Sequence, residues 1–301
     1  MYHGVINVYK EPGYTSHDVV ARLRGILRQK KIGHTGTLDP AAEGVLPVCL
    51  GQGPRLCDML TEKSKTYEAV MLLGTITATE DTTGQVLGKY PVTVSDQEVQ
   101  EAAESFIGDY NQIPPMYSAL KVDGKKLYEL ARAGKQVERA ARPVKILSLT
   151  ITRMELPRVW MRVSCSKGTY IRTLCSDIGN KLGCGGCMES LKRIQVDRFW
   201  VQDAITLDNI QRAGEEGRLG ELIIPVEEMF SAYPAARTLK ETDRLVRNGN
   251  PLKPEEFEYA AAGDGEAVRV YDSQGTFMGI YRYEAKRRFF KPWKMFLNPE
   301  P

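Results

Sequence analysis

Val5 to Val8 is a short apolar run followed by a Pro12-Gly13 turn, which predicts a strand near the start of the chain. Val19, Val20, Leu23, Ile26 and Leu27 then recur on one helical face, with Thr15 and Asp18 spaced as a capping pair ahead of them. Gly33 to Asp39 reads as a loop, Gly44 to Leu50 as a second apolar strand, and Tyr67 to Leu73 alternates as a half-buried strand does. Ser95 and Glu98 predict a capped helix carrying Val99, Ala102, Phe106 and Ile107, ended by Gly108. Val159 to Cys165 is a further strand. Thr169 is expected to cap the next helix, whose apolar face is Ile171, Leu174, Cys175, Ile178 and Leu182, stopped by Gly183. Tyr170 and Arg172 therefore fall at a strand-to-helix turn.

From Pro114 the pattern becomes irregular and basic, with an Asp123-Gly124 turn signal and a short helix around Leu127 to Ala133. This stretch reads as an insertion between core elements, over about residues 113–145. Beyond Pro225 the texture changes to short strands and tight turns: Asn248-Gly249, Ala267 to Tyr271, and Phe277 to Tyr283. A small all-β unit fits this tail.

A length of 301 residues favours about two domains, and 42% hydrophobic with 26% charged residues can bury a sizeable core without disulfides or metals. No apolar run is long enough to span a bilayer and no apolar signal segment opens the chain, so the six cysteines are expected as free thiols in a reducing cytoplasm. The net charge of +3 is weak, but its distribution is polarised. Lys and Arg collect in Arg22 to Lys31, Lys121 to Lys145 and Arg282 to Lys294, while Glu80 to Asp109 is acidic. Such segregation suits a polyanionic ligand, although solvated helix faces would look the same.

No phosphate-binding loop or dinucleotide fingerprint is present. With only His3, His17 and His34 available, an H-E-x-x-H zinc site and the H-x-E pairing of a zinc deaminase are excluded. Cys184 and Cys187 have C-x-x-C spacing, but Cys165 and Cys175 do not repeat it, so a zinc-binding interaction protein is the weaker alternative.

The densest run of unusual residues is Gly33-His34-Thr35-Gly36-Thr37-Leu38-Asp39-Pro40. Two glycines permit close backbone approach, and Pro40 favours an extended Asp39 whose carboxylate is displayed at the loop end. By spacing alone such an Asp is an ordinary turn or cap residue. Continued by Ala41 to Gly51, however, the run resembles the signature of the TruB family, the bacterial tRNA pseudouridine-55 synthases. Three more blocks resemble the same family in order: Lys65-Thr66-Tyr67-Glu68-Ala69, Ile113-Pro114-Pro115-Met116-Tyr117-Ser118-Ala119-Leu120-Lys121, and Gly168-Thr169-Tyr170-Ile171-Arg172. Three departures stand out: Pro12 is displaced in the N-terminal block, Ala78 replaces an acidic residue in the run Thr77 to Asp81, and Cys187 is unexpected.

The resemblance implies an α+β pseudouridine synthase fold, with a central mixed, mostly antiparallel sheet flanked by helices and a small C-terminal β-rich PUA-like domain. The expected domains are residues 1–232, catalytic, and 233–301, RNA-binding. It implies isomerisation of uridine 55 in the T loop of tRNA with no cofactor and no metal. Asp39 is the implied catalytic carboxylate, Arg172 the cation that pairs with and orients it, Tyr67 the ring that stacks on the uracil, and Tyr170 and Leu191 the pocket walls. His34 is expected to fill the space left by the extruded uridine, and Lys125, Lys126, Arg132 and Lys135 to contact phosphates. The implied partner is the tRNA T stem-loop, bound by a cytoplasmic monomer without a membrane or an obligate protein partner. A tRNA-folding module that keeps the fold with little catalysis is the rival expectation.

Overall fold

The computed structural model describes residues 1–52, 56–57, 61–122, 124–259 and 263–297. In chain order the first half comprises β1 (Gly4–Lys10), α1 (Ser16–Leu27), β2 (Ile32–His34), β3 (Glu43–Leu50), β4 (Lys65–Leu73), β5 (Thr75–Thr77), β6 (Val86–Lys89), α2 (Asp96–Glu104) and β7 (Gly108–Gln112). There follow β8 (Lys121–Val122), β9 (Lys125–Lys126), α3 (Leu127–Arg132), β10 (Arg142–Glu155), β11 (Arg158–Cys165), α4 (Ile171–Lys181), β12 (Gly186–Val196), β13 (Phe199–Trp200) and α5 (Leu207–Glu215). The tail adds β14 (Ala235–Thr238), α6 (Asp243–Arg247), β15 (Phe257–Tyr259), β16 (Ala267–Tyr271), β17 (Phe277–Glu284) and β18 (Phe289–Met295). Among the described residues no helix is long and apolar enough to cross a membrane.

A nine-stranded sheet runs β1-β3-β12-β4-β11-β10-β7, with β2 added to β3 and β13 to β12. Every pairing is antiparallel except β3 with β12, where Glu43 lies opposite Lys192 and Gly44 opposite Arg193. The period-two geometry of a strand sorts the apolar residues of β1 and β3 onto two faces. Ile6, Val8, Leu46, Val48 and Leu50 meet Val19, Leu23 and Leu27 of α1 and Ile210 of α5. Val5, Val45 and Cys49 face the other way, against Phe230, Ile280 and Phe296. The second, five-stranded sheet, ordered β15-β14-β16-β17-β18, therefore shares a core with the first. Farther along the large sheet, α2 and α4 cover Met71, Leu73, Met161 and Val163.

Capping signals behave as local chemistry dictates. Thr15 with Asp18 and Ser95 with Glu98 both form reciprocal capping boxes. Four expectations need correction. Residues 32–34 are not loop but the edge strand β2, with Gly33 opposite Cys49 and His34 opposite Val48. Helix α2 ends at Glu104, well before Gly108: the Ser105 hydroxyl donates to Ala102 O at 2.7 Å and tightens the last turn, leaving Ile107 exposed. Thr169 does not cap α4; its hydroxyl donates to Ser166 O at 3.0 Å, and Tyr170 takes the cap position without a side-chain bond. The C-terminal unit is not all β, because the Asp243 carboxylate accepts from the Ser273 amide and hydroxyl and so anchors the short helix α6. Asp123 of the expected turn lies outside the described residues, while its neighbours Val122 and Lys125 pair as a hairpin.

Gly44 shows why this sheet tolerates only its own sequence at the β3–β12 junction. Its φ is +107°, and a Cβ there would lie 2.2 Å from Arg193 O. Gly44→Ala is expected to lower stability by at least about 2 kcal/mol through combined overpacking and backbone strain, read as a shifted urea midpoint at unchanged m-value. A variant as stable as wild type would show that the two strands can separate without cost.

Candidate active site

The turn between β2 and β3 is built to present one carboxylate. The Leu38 amide donates to the Ser16 hydroxyl at 2.9 Å, the Gly13 amide to Pro40 O at 2.9 Å, and the Ala42 amide to Asp39 O at 3.1 Å. From below, the Lys10 ammonium donates to Pro40 O (3.1 Å), Ala42 O (2.5 Å) and Glu11 O (3.2 Å). With its backbone thus fixed on both sides, Asp39 keeps its side chain 37% exposed.

That carboxylate is gripped by Arg172, from the first turn of α4. Nε lies 2.9 Å from one Asp39 oxygen and Nη2 3.2 Å from the other, the two-point geometry that only a guanidinium supplies. Arg172 itself is 4% exposed. Its remaining donors are satisfied by Thr79 O and Tyr117 O, each at 3.0 Å, and a second carboxylate, Asp81, stands 3.8 Å from Nε. Asp81 is held by the Thr79 hydroxyl (2.7 Å) and by the Thr83 amide (3.0 Å) and hydroxyl (2.6 Å). The turn closes without an acid at Ala78, whose amide donates to Gln85 O at 2.9 Å. The retained Asp81, rather than the missing acid, is what reaches Arg172. Beside it, burial raises the Glu80 carboxyl, which accepts from the Thr173 hydroxyl.

Tyr67 is buried on β4 and shares an apolar cluster with Leu38, Ala42, Ile171 and Leu191. Burial pushes its phenol up, and the Asp39 charge adds to the shift. Tyr170 is half-buried; its amide donates to Gln112 Oε1 at 2.8 Å while Gln112 Nε2 donates to Tyr170 O at 2.9 Å, a two-sided hold at the start of α4. Burial raises the Tyr170 phenol as well, with Asp39 and Arg172 acting in opposite directions. Asp39, Arg172, Tyr67, Tyr170 and Leu191 thus gather at one place. His34 lies at the end of β2, its ring 5.6 Å from that of His17 in edge contact and its Nδ1 accepting from the Gly36 amide at 3.3 Å. Burial, then the charges of His17 and Arg193, pull it down to about 4.

Lys126 and Arg132 gather instead around Tyr128, at 5.4 and 5.5 Å from its ring centre, with exposed Lys125 on the same hairpin and exposed Lys135 just beyond α3. The cysteines sit apart from this chemistry: Cys165, Cys175 and Cys184 pack among core residues of the large sheet, and among the described residues no group of three metal-ligating side chains is assembled.

Two buried cations escaped the sequence reading, Lys10 and Arg193. Their signal was present, since each is a charged residue on the inward phase of an apolar strand, in step with Val8 and with Leu191.

Over nearly its whole length the chain resembles two solved structures. One is a structure of an H/ACA RNP bound to a substrate RNA containing 2'-deoxyuridine, with a TM-score of 0.73 and 25% identity over 99% of this chain and 86% of that one. The other is a Cbf5-Nop10-Gar1 complex, with a TM-score of 0.72 and 27% identity over 98% and 85%. The fold is that of a pseudouridine synthase, an isomerase. Residues 24–171 match the N-terminal domain of the TruB family pseudouridylate synthases, and residues 172–231 match the C-terminal domain of tRNA pseudouridylate synthase B. Proteins named tRNA pseudouridine synthase B are 51% identical in Lachnoclostridium phytofermentans (98% of this chain, 100% of the relative), 43% in Clostridium novyi (92% and 94%) and 44% in Ralstonia pickettii (94% and 91%). The chain belongs to the TruB family.

Lys10 supplies a pH test of the loop clamp. Burial lowers its ammonium to about 8 from the ordinary 10.5, with Arg193 adding to the shift and Asp39 opposing it. Below about pH 8 Lys10 is protonated in both states; between there and about 10.5 the folded state has shed a proton that the unfolded chain still holds, so this group adds stability as pH rises. The stability of wild type relative to Lys10→Met, followed by urea unfolding across this window, is expected to climb. A difference flat in pH would mean that the ammonium is not desolvated as described.

Proposed function

We propose that this chain converts uridine 55 in the T loop of tRNA to pseudouridine, with Asp39 as the catalytic carboxylate and no cofactor. The observation that carries the reading is the two-point Asp39–Arg172 pair, buried on the arginine side and open on the carboxylate side, with Tyr67 and Tyr170 beside it. The relatives' names, which specify tRNA, support the substrate class.

The isomerisation breaks the bond from ribose C1′ to N1 and makes one from C1′ to C5 of the same uracil. C5 loses a proton and N1 gains one, so no redox partner and no group donor enters. What the reaction demands of the protein is a carboxylate beside an electron-poor sugar carbon, as in glycoside hydrolysis, and walls that keep the freed base in place. Asp39 provides the first. Tyr67 stacks on the base, and Leu191 with Tyr170 bounds the pocket. Arg172 orients Asp39 rather than touching the nucleoside.

Reaching C1′ requires the uridine to leave its stack, at a cost on the order of a few kcal/mol. His34, neutral above about pH 4 because of its burial, fills the vacated space as an uncharged ring. Lys125, Lys126, Arg132 and Lys135, in the insertion at about 113–145, hold the T stem-loop by its phosphates. Residues 1–232 form the catalytic domain and 233–301 a PUA-like RNA-binding domain. We further propose, as the family resemblance implies, that the protein acts as a cytoplasmic monomer without an obligate protein partner.

Asp39→Asn, assayed on a T-loop transcript by chemical labelling of pseudouridine, is expected to abolish turnover while RNA binding changes little. Substantial product from that variant would remove Asp39 from its role. Binding without product by the wild-type chain would favour a tRNA-folding module. For the insertion, Lys125→Ala is expected to flatten the log–log salt dependence of binding by roughly 0.7 to 0.9 without altering the rate at saturating RNA; an unchanged slope would place Lys125 off the phosphate path.

A further inference from the structure

Arg193 is 1% exposed and is one of two residues of β12, with Lys192, paired with both β3 and β4; it lies opposite Tyr67 on β4 and opposite Gly44 on β3. Its Nε donates to Val45 O at 2.7 Å and its Nη2 to Gly36 O at 3.1 Å. Direct cross-strand pairing with Tyr67 places the guanidinium beside the phenol, where it opposes the effect of burial on that group. Among the described residues no carboxylate forms a salt bridge with it, so a full charge is buried against neutral acceptors alone. Burying a charge is costly unless its donors are all used. A guanidinium offers what a neutral or point-charge donor does not, several N–H groups in a rigid plane that reach different acceptors at once. Here those acceptors belong to separate segments: Gly36 is three residues before Asp39, Val45 lies in the strand that follows it, and Tyr67 comes from β4.

We propose that Arg193 is a positioning residue that fixes the Tyr67 ring relative to the Asp39 loop by bonding both at once. The role rests on the reading of Asp39 and Tyr67 given above. Arg193 touches no reacting atom; it acts through Tyr67 and through Gly36. Without it the ring is free to turn about its side-chain torsions, and the turn carrying Asp39 loses one of its two cationic supports, the other being Lys10. A displacement of about 1 Å between catalytic groups suffices to lower a rate by about 100-fold.

The test is a double-mutant cycle of Arg193→Gln and Tyr67→Phe, read as single-turnover rate at saturating T-loop transcript, with Kd measured alongside. Each single variant is expected to lose about 100-fold in rate with Kd changed by less than about threefold, and the double variant to lie within about threefold of the singles. Losses that multiply in the double variant would overturn the proposal. So would a Tyr67→Phe enzyme with the wild-type rate, or an Arg193→Gln enzyme that is weakened in binding alone. If Arg193→Gln shows no cooperative unfolding transition, Arg193→Lys keeps the charge and one carbonyl bond; it is expected to fold and still lose rate, and a Lys variant at wild-type rate overturns the role. Asp39→Asn is run in parallel: activity in that variant removes the parent reading, whereas an inactive Asp39→Asn with multiplicative losses in the cycle removes only the role of Arg193.

Discussion

A guanidinium nearly sealed from water must have its charge and its donors answered on all sides, and the site is organised around how Arg172 meets that demand. Asp39 answers from the β2–β3 turn, Asp81 from the turn after β5, and two backbone carbonyls, of Thr79 and Tyr117, from the same turn and from the start of the insertion. Three stretches of chain remote in sequence therefore converge on one side chain. Because the partners are fixed, the carboxylate that remains partly open to solvent is also fixed in direction, which is what an acid–sugar reaction needs from a scaffold.

The second level of organisation is backbone carbonyl capture. Lys10 and Arg193 are both buried, and both donate to main-chain oxygens of the Asp39 turn and its flanks. A loop held only by its own turns would place Asp39 loosely. Held by two cations from the strands on either side of β3, it becomes an extension of the sheet. Burial, then the charges of His17 and Arg193, pull His34 toward its neutral form, so one of the cations that steadies the loop also acts on its histidine.

Much of this was legible in the sequence, for reasons that differ by element. The capping pairs at Thr15 and Ser95 are local chemistry, and both helices start where those residues predict. The strands at Val5 and Gly44 show as continuous apolar runs because both of their faces are covered, while Tyr67 to Leu73 alternates as a half-buried strand does. That Asp39, Tyr67, Tyr170 and Arg172 should be taken together came from family resemblance, since spacing alone describes each as an ordinary loop, strand or helix residue. What stayed hidden depends on tertiary partners. Short β2 forms only because β3 offers an edge, α2 stops early because one serine turns back on its own helix, and the Thr169 hydroxyl chooses a neighbouring carbonyl over the helix. Lys10 and Arg193 carried a signal, charge on an apolar phase, whose meaning appears only with the carbonyls they reach.

The single parallel pairing of the large sheet, β3 with β12, has a bearing on biosynthesis. As the chain leaves the ribosome, β1 with β3 and the run β4, β11, β10 and β7 can each form from residues already made, but they stay two separate pieces until β12 inserts between β3 and β4. Asp39 belongs to the first piece and Tyr67 to the second, and about 150 residues separate β3 from the β12 residues that pair with it, so the closing step is entropically demanding and late. An unfinished chain would thus hold Asp39, Tyr67, Tyr170 and Arg172 but no assembled pocket, with two strand edges bare to pairing by neighbours. Completion of the middle strand turns those fragments into a working centre and hides both edges in the same event.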